Sequence, residues 1–215
     1  MRQIITVSRQ IGTDGDTVAK KVADTLGFNY LDRRLLAEQA QRLGINIYEA
    51  EVCDISEDDY RIRGLVESIF SDTKVITVVE SPSTGSSLIQ TSRTLNEETC
   101  INIEGTIIKE LAKRGRLVVV GRGGQGLLKD RSDALHVKII APNEYRIKKL
   151  IASKKIDEQE AARIIKDRDT ATAQYLRRFY KLDWDDNGYY SMIINMAGVS
   201  VAQAVSCIAN LARSE

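Results

Sequence analysis

Residues 3–32, QIITVSRQIGTDGDTVAKKVADTLGFNYLD, decide how this chain folds. Residues 3–8 are a short β-branched apolar run, and Gly12 and Gly15 follow at once. Val18, Val22 and Leu26 then recur at helical spacing with Ala19 and Ala23 filling the stripe. Gly27 stands where a helix-ending glycine belongs, and Phe28, Tyr30 and Leu31 form a second short strand that ends in Asp32, Arg33 and Arg34. Strand, glycine-containing loop, helix, strand is the unit from which parallel sheets are built.

The same alternation resumes further on. Ile103, Ile107, Ile108 and Leu111 mark a helix closed by Gly115, and LVVV at 117–120 reads as a strand buried on both faces. It runs directly into Gly121-Arg122-Gly123-Gly124. The run at 135–140 is a further strand, followed by Pro142 and a helix carrying Ile147, Leu150 and Ile151 on one face. Asp157 with Glu160 resembles a capping box for a charged helix reaching toward Tyr175. Residues 189–195 give a last strand, and Val201, Val205, Ile208 and Ala212 a closing helix. Between these halves the pattern weakens. Residues 35–70 are polar, with acidic clusters such as Glu57-Asp58-Asp59, and suggest one or two surface helices. From 81 to 94, eight of fourteen residues are Ser or Thr, the composition of a mobile loop.

Five strands alternating with helices predict a three-layer α/β fold, a five-stranded parallel sheet with helices on both faces. Ligands of such sheets bind beyond the strand C-termini, here the loops at 8–17, 31–35, 121–126 and 141–146. Arg9, Arg33, Arg34, Arg122 and Arg146 fall in or beside them, and converging arginines imply a polyphosphate ligand.

Composition narrows the partners. The 215 residues carry 31 Lys plus Arg against 30 Asp plus Glu, so no global field draws the chain to nucleic acid or an anionic membrane. With 43% hydrophobic and 28% charged residues, the chain is neither disordered nor fibrous. No apolar run approaches the roughly 20 residues needed to span a bilayer, and the N-terminus lacks a secretory h-region, so a cytoplasmic location is expected. Cys53, Cys100 and Cys207 are far apart, and the single histidine, His136, reads as a strand residue rather than a metal ligand.

The loop at 8–17 sits where a phosphate-binding loop would, because free N–H groups and the positive dipole end of the following helix favour an anion. It fails the pattern G-x-x-x-x-G-K-[ST], no lysine preceding Thr17. An ordinary β-α turn with Asp16 as N-cap is the alternative. Arg122, set directly after four buried-type residues and flanked by glycines, is the strongest single candidate for a functional charge. Arg33, Arg34, Arg177 and Arg178 each have a solvated surface role as their alternative.

Taken together, TVAKKVADTLGFNYLD, LVVVGRGGQGLL and DALHVKIIAPNEYRIKKL resemble cytidylate kinase, and the SRQIG-x-x-G start resembles the cytidylate kinase-like family of P-loop proteins. The likeness covers nearly all the chain and is weakest from about 36 to 98. It implies one domain over 1–215, with an acceptor-binding insertion at about 33–98 and a lid at about 152–178. The implied reaction is phosphate transfer from ATP, with Mg²⁺, to a nucleoside monophosphate, cytidine being the favoured base. By the same resemblance Arg9, Arg146 and Arg168 are catalytic, and Gly12, Thr13, Asp14, Gly15, Asp16 and Thr17 hold the ATP phosphates. Asp32, Arg33, Arg34, Arg122 and Asp169 bind the acceptor, and Asp16 and Thr17 hold the metal. The family's loop accommodates Arg9 and Gly12 but not Asp14 and Asp16. Gly123 replaces the aspartate of a G-R-D triplet, and of two lid Arg-Asp pairs only Arg168-Asp169 is kept. These departures leave two other roles open, a non-catalytic nucleotide-sensing or partner-binding protein and a kinase for another small molecule. Nucleotides are the expected partners, and a homo-oligomer is compatible with the sequence.

Overall fold

A computed structural model describes residues 1–32, 47–49, 74–78, 94–95 and 97–214. The chain divides into two compact units, Met1–Asp32 with Lys109–Glu215, and Arg33–Ile108.

The first unit is built on β1 (Ile4–Arg9), β2 (Asn29–Leu31), β6 (Leu117–Val120), β7 (Ala134–Ile140) and β8 (Met192–Asn195). All pair in parallel, in the order β2-β6-β1-β7-β8. Both neighbours of β1 enter the chain after residue 110, so its pairings are long-range. The expected five-stranded parallel sheet is present, with strand ends within a few residues of the sequence reading.

One sheet face is apolar throughout. Ile5, Val7, Val118, Val120, Val137 and Ile139 meet α1 (Gly15–Leu26) and α6 (Val201–Arg213), whose Val18, Val22, Ala204 and Ile208 are fully buried. Alternation along a strand sends Thr6, Ser8, His136 and Lys138 to the opposite face. That face is covered by α3 (Gly124–Leu127), against which Thr6 packs, and by residues 180–190. Its polar groups are paired. Thr6 Oγ1 lies 2.8 Å from His136 Nδ1, Ser8 Oγ accepts from Trp184 Nε1 at 2.8 Å, and Lys138 Nζ donates to the Trp184 carbonyl at 2.6 Å. Lys138 is almost wholly buried, with its ammonium over the rings of Trp184 and Tyr190.

Helix ends follow local chemistry. Gly27, at φ 64°, closes α1 by donating to the Ala23 and Asp24 carbonyls. In α5 (Glu158–Tyr175), Asp157 accepts from the Glu160 N–H at 2.8 Å, but the Glu160 carboxylate pairs with Arg163, so only half of the expected capping box forms. The complete box is Ser200 with Gln203, at the start of α6. A π-helical turn, Leu176–Tyr180, continues α5. Helix α2 (Glu97–Lys113) precedes β6, and α4 (Asn143–Lys154) packs on α5.

The second unit contains an antiparallel sheet of β3 (Ile47–Glu49), β4 (Lys74–Val78) and β5 (Thr94–Leu95) in that order. Residues 47–49, within the span read as one or two surface helices, form a strand, and KVITV, a β-branched alternating run, is a strand not anticipated. The rest of 35–70, the Ser/Thr-rich loop up to residue 93, Arg33 and Arg34 lie outside the described residues. Among the described residues no helix is long and apolar enough to cross a membrane.

Burial, then the Arg2 charge, lowers the pKa of His136 below its ordinary value. The native state holds the neutral ring, while the unfolded chain gains a proton below about pH 6.5. The stability tied to this site is thus present above that pH and is lost as pH falls toward the folded pKa. Urea unfolding between about pH 7 and 5 should show a decline that His136→Gln flattens, and an equal decline in the variant would assign the effect elsewhere.

Candidate functional site

Strands β1 and β6 are neighbours, but the chain leaves β1 over the apolar face, through α1, and leaves β6 over the polar face, through α3. Their C-terminal ends therefore separate into a crevice, the place where ligands bind in open α/β sheets. Arg9, the last residue of β1, lies along its floor. Its Nε donates to Asp16 Oδ1 at 2.9 Å. A Cβ on Gly15 would fall 2.6 Å from the Arg9 Cβ, and one on Gly121 would fall 2.8 Å from a guanidinium nitrogen. Both glycines clear the room that Arg9 occupies.

Opposite, Gly121, Arg122 and Gly123 take φ of 71°, 55° and 63° in succession. Glycine does so freely, but Arg122 bears left-handed strain on the order of 1–2 kcal/mol, a feature that concentrates at functional loops. Its side chain is half-buried. Gly123 stands where the related pattern has aspartate, and the reason is local. A Cβ there would lie 2.2–2.6 Å from the ring carbons of Tyr180, so the tyrosine fills the space that an acidic side chain would need.

The first loop, residues 10–14, is pinned from inside. Thr13 is fully buried, and its hydroxyl donates to the Gln10 carbonyl at 2.7 Å, while Gln10 Oε1 accepts from the Ala141 N–H. Asp14, at φ 58°, is the N-cap of α1, yet its carboxylate makes no bond to the first-turn N–H groups. It pairs instead with Lys149 Nζ at 2.6 Å. Asp16 is thus not the N-cap, as the sequence suggested. It is the second helical residue, two positions after the cap, and its carboxylate faces Arg9. Gly12 is half-buried, and Thr17 is exposed beside Asp16.

Tyr30, which sequence reasoning passed over, belongs to the same cluster. Burial first, then the negative charges of Asp32 and Asp16, push its pKa up to about 12, against Arg9, which lowers it; its hydroxyl bonds to Asp32. The phenol stays protonated and donates to a carboxylate at the β2 edge. Its position one residue before the end of an apolar strand was the only available signal.

Arg146 differs most from expectation. Its side chain is 1% exposed. Nε donates to the Ile11 carbonyl at 2.8 Å, one terminal nitrogen to Asn143 Oδ1 at 3.3 Å, and both terminal nitrogens reach Asp169 at 2.7 Å. Four of its five donors are bonded inside the protein, so Arg146 holds the loop to α4 and α5 rather than offering its fork to a phosphate. Asp169 is correspondingly engaged through both oxygens. Arg168, beside it on α5, is half-buried. A cavity of about 360 Å³ opens between α4 and α5, lined by Asn143, Ile147, Lys166, Asp169 and Thr170 among others. No group of three or more metal-ligating side chains occurs among the described residues.

The model of the cytidylate kinase-like family matches residues 4–198, and the chain belongs to that family. No curated protein matches significantly. Among solved structures, an uncharacterised protein from Eubacterium ventriosum superposes with a TM-score of 0.69 at 18% identity, covering 100% of both chains. Shikimate kinase from Bacteroides thetaiotaomicron gives a TM-score of 0.51 at 12% identity, covering 98% of each chain. A gluconokinase from Sinorhizobium meliloti gives 0.51 at 12% identity, covering 99% of this chain and 95% of that one. At these identities the likeness establishes the fold, that of P-loop kinases.

The Gly123–Tyr180 contact makes a direct test. Gly123→Asp should destabilise the protein by about 2–4 kcal/mol through overlap and a strained φ, and Tyr180→Ala in the same chain should recover at least half of that in urea unfolding. Equal stability of Gly123→Asp and wild type would show that the ring does not enforce the glycine.

Proposed function

We propose that this member of the cytidylate kinase-like family is an ATP-dependent nucleoside-monophosphate kinase, with CMP or dCMP the favoured acceptor. The observation that carries the proposal is Arg9, fixed along the crevice floor between Gly15 and Gly121, beside a helix N-terminus whose first-turn N–H groups its own N-cap side chain leaves unbonded. Phosphoryl transfer needs aligned phosphates and neutralised charge rather than a covalent intermediate. In this scheme the backbone N–H groups from Gly12 to Thr17 hold the donor phosphates and Arg9 neutralises them. Arg122 receives the acceptor phosphate, Asp32 contributes on the acceptor side through Tyr30, and Arg168 acts from the lid. Arg146 is a positioning residue that keeps the loop in place.

Asp16 and Thr17 are the residues that would hold Mg²⁺. Hard oxygen donors, few in number and exposed next to the phosphate loop, suit a cation that keeps several waters and binds through substrate phosphates. Bound there, the ion would supply charge neutralisation to the phosphates.

One observation favours a second reading, a nucleotide sensor without turnover. Asp16 stands immediately before Thr17, where the P-loop pattern has its lysine, and Asp14 adds a second carboxylate to the loop. A coupled ADP-release assay across nucleoside monophosphates, with shikimate and gluconate as further acceptors, separates the readings. Release with CMP supports the kinase, release only with a sugar acid or shikimate reassigns the acceptor, and ATP binding without release supports the sensor. For an active enzyme, Arg9→Ala should lower kcat/KM by roughly 10²–10³, and Arg9→Lys should restore little, because the guanidinium fork is lost. Arg122→Ala should weaken CMP binding by about 10- to 150-fold and change ATP affinity by less than about threefold, both read by calorimetry.

A further inference from the structure

We infer that Lys149 supplies, from α4, the phosphate-binding lysine that the loop itself lacks; the inference rests on the nucleotide-binding reading above. Three contacts seat α4 on the loop. Arg146 Nε bonds the Ile11 carbonyl, the Arg146 backbone closes on Gly12 so tightly that a Cβ there would lie 3.0 Å from its carbonyl oxygen, and Lys149 Nζ meets Asp14 Oδ2 at 2.6 Å. Residues 146 and 149 are three apart, so they share one helix face, and the buried Arg146 fixes where the more exposed Lys149 emerges.

The position of the ammonium follows from its partner. Asp14 is the N-cap of α1, one residue from the first free N–H groups of that helix. Lys149 Nζ is therefore held at the loop, where an entering phosphate would meet it. Asp14, followed by the ammonium's contact with Tyr145, keeps Lys149 charged by raising its pKa above the ordinary value. An ammonium has three donors, so one bond to Asp14 leaves others for phosphate oxygens. A lysine in the loop itself would approach the β- and γ-phosphates from the chain that cradles them. Here the corresponding position is Asp16, engaged by Arg9, and the cation arrives from a neighbouring helix with Asp14 as its holder.

Two other roles for Lys149 make different predictions. As a neutraliser of Asp14 alone, it would matter only while Asp14 is charged. As an exposed surface pair it would matter little. Calorimetry of ATP and of inorganic tripolyphosphate binding to wild type, Lys149→Ala, Asp14→Asn and the double variant distinguishes them. The inference predicts that Lys149→Ala weakens both ligands by about 10-fold or more, that Asp14→Asn tightens both, and that the double variant stays weak. Recovery of wild-type affinity in the double variant, or no loss in Lys149→Ala, overturns it while leaving nucleotide binding intact. Failure of wild type to bind either ligand removes the nucleotide reading and this inference together. Fluorescence of Trp184, the single tryptophan, which is bonded to Ser8 next to Arg9, verifies that each variant is folded.

Discussion

A buried guanidinium is costly unless its donors find acceptors, and Arg146 finds them for four of its five by joining three parts of the chain. It takes a carbonyl from the loop after β1, an amide oxygen from the first turn of α4, and both oxygens of Asp169 on α5. Removing one partner of such a pair costs about 3–5 kcal/mol, because the other charge is stranded. The loop after β1, α4 and α5 are thus held in one arrangement, and the geometry of that loop is inherited from it. Glycine at position 12 is a consequence, since the Arg146 backbone comes too close for a side chain.

The departures of the loop from the P-loop pattern acquire a common explanation. A carboxylate about 4 Å from a phosphate charge, at an effective dielectric of about 20, costs roughly 4 kcal/mol. The loop has two, and each faces a cation, Asp16 with Arg9 and Asp14 with Lys149. Gly123 follows the same logic in steric terms, its missing side chain matched by the Tyr180 ring. Asp14 and Gly123 have their partners far along the chain, in Lys149 and Tyr180, and Asp16 has its partner close by, in Arg9.

This explains what was legible beforehand. The five parallel strands were, because strands buried on both faces are continuous apolar runs, as in residues 117–120. Helix α5 ends at Tyr175 as its pattern indicated. Periodicity tells which face of an element is buried and not which partner it meets. The sequence singled out Arg146 by its place beside the 141–146 loop and passed over Lys149, and it did not show that one is buried and the other is not. The strand at 47–49 was missed because three residues are too few to show a period, and 74–78, though its pattern alternates, is only five residues long. The N-cap was misassigned for a related reason. Asp14 and Asp16 are equally good caps by composition, and the choice was made by Lys149 and Arg9.

The polar sheet face carries the last step. Thr6, Ser8, His136 and Lys138 would be costly under a helix with an apolar seam, since each would be left unpaired. Thr6 and His136 are tolerated because they pair with each other, and Ser8 and Lys138 because residues 180–190 cross that face with a carbonyl, an indole N–H and a carboxylate to meet them. Ser8 is bonded to Trp184 and adjoins Arg9; Lys138 is paired across the sheet with Ser8 and bonded to the Trp184 carbonyl. The segment that follows α5 is in this way tied to the strand end that presents Arg9. The chain from Asp169 of α5 to Trp184 is consequently tied twice to β1 and the loop after it, by Asp169 through Arg146 and by Trp184 through Ser8. The π-helical turn Leu176–Tyr180 lies between them, a departure from α-helical hydrogen bonding of the kind that is frequent at functional sites.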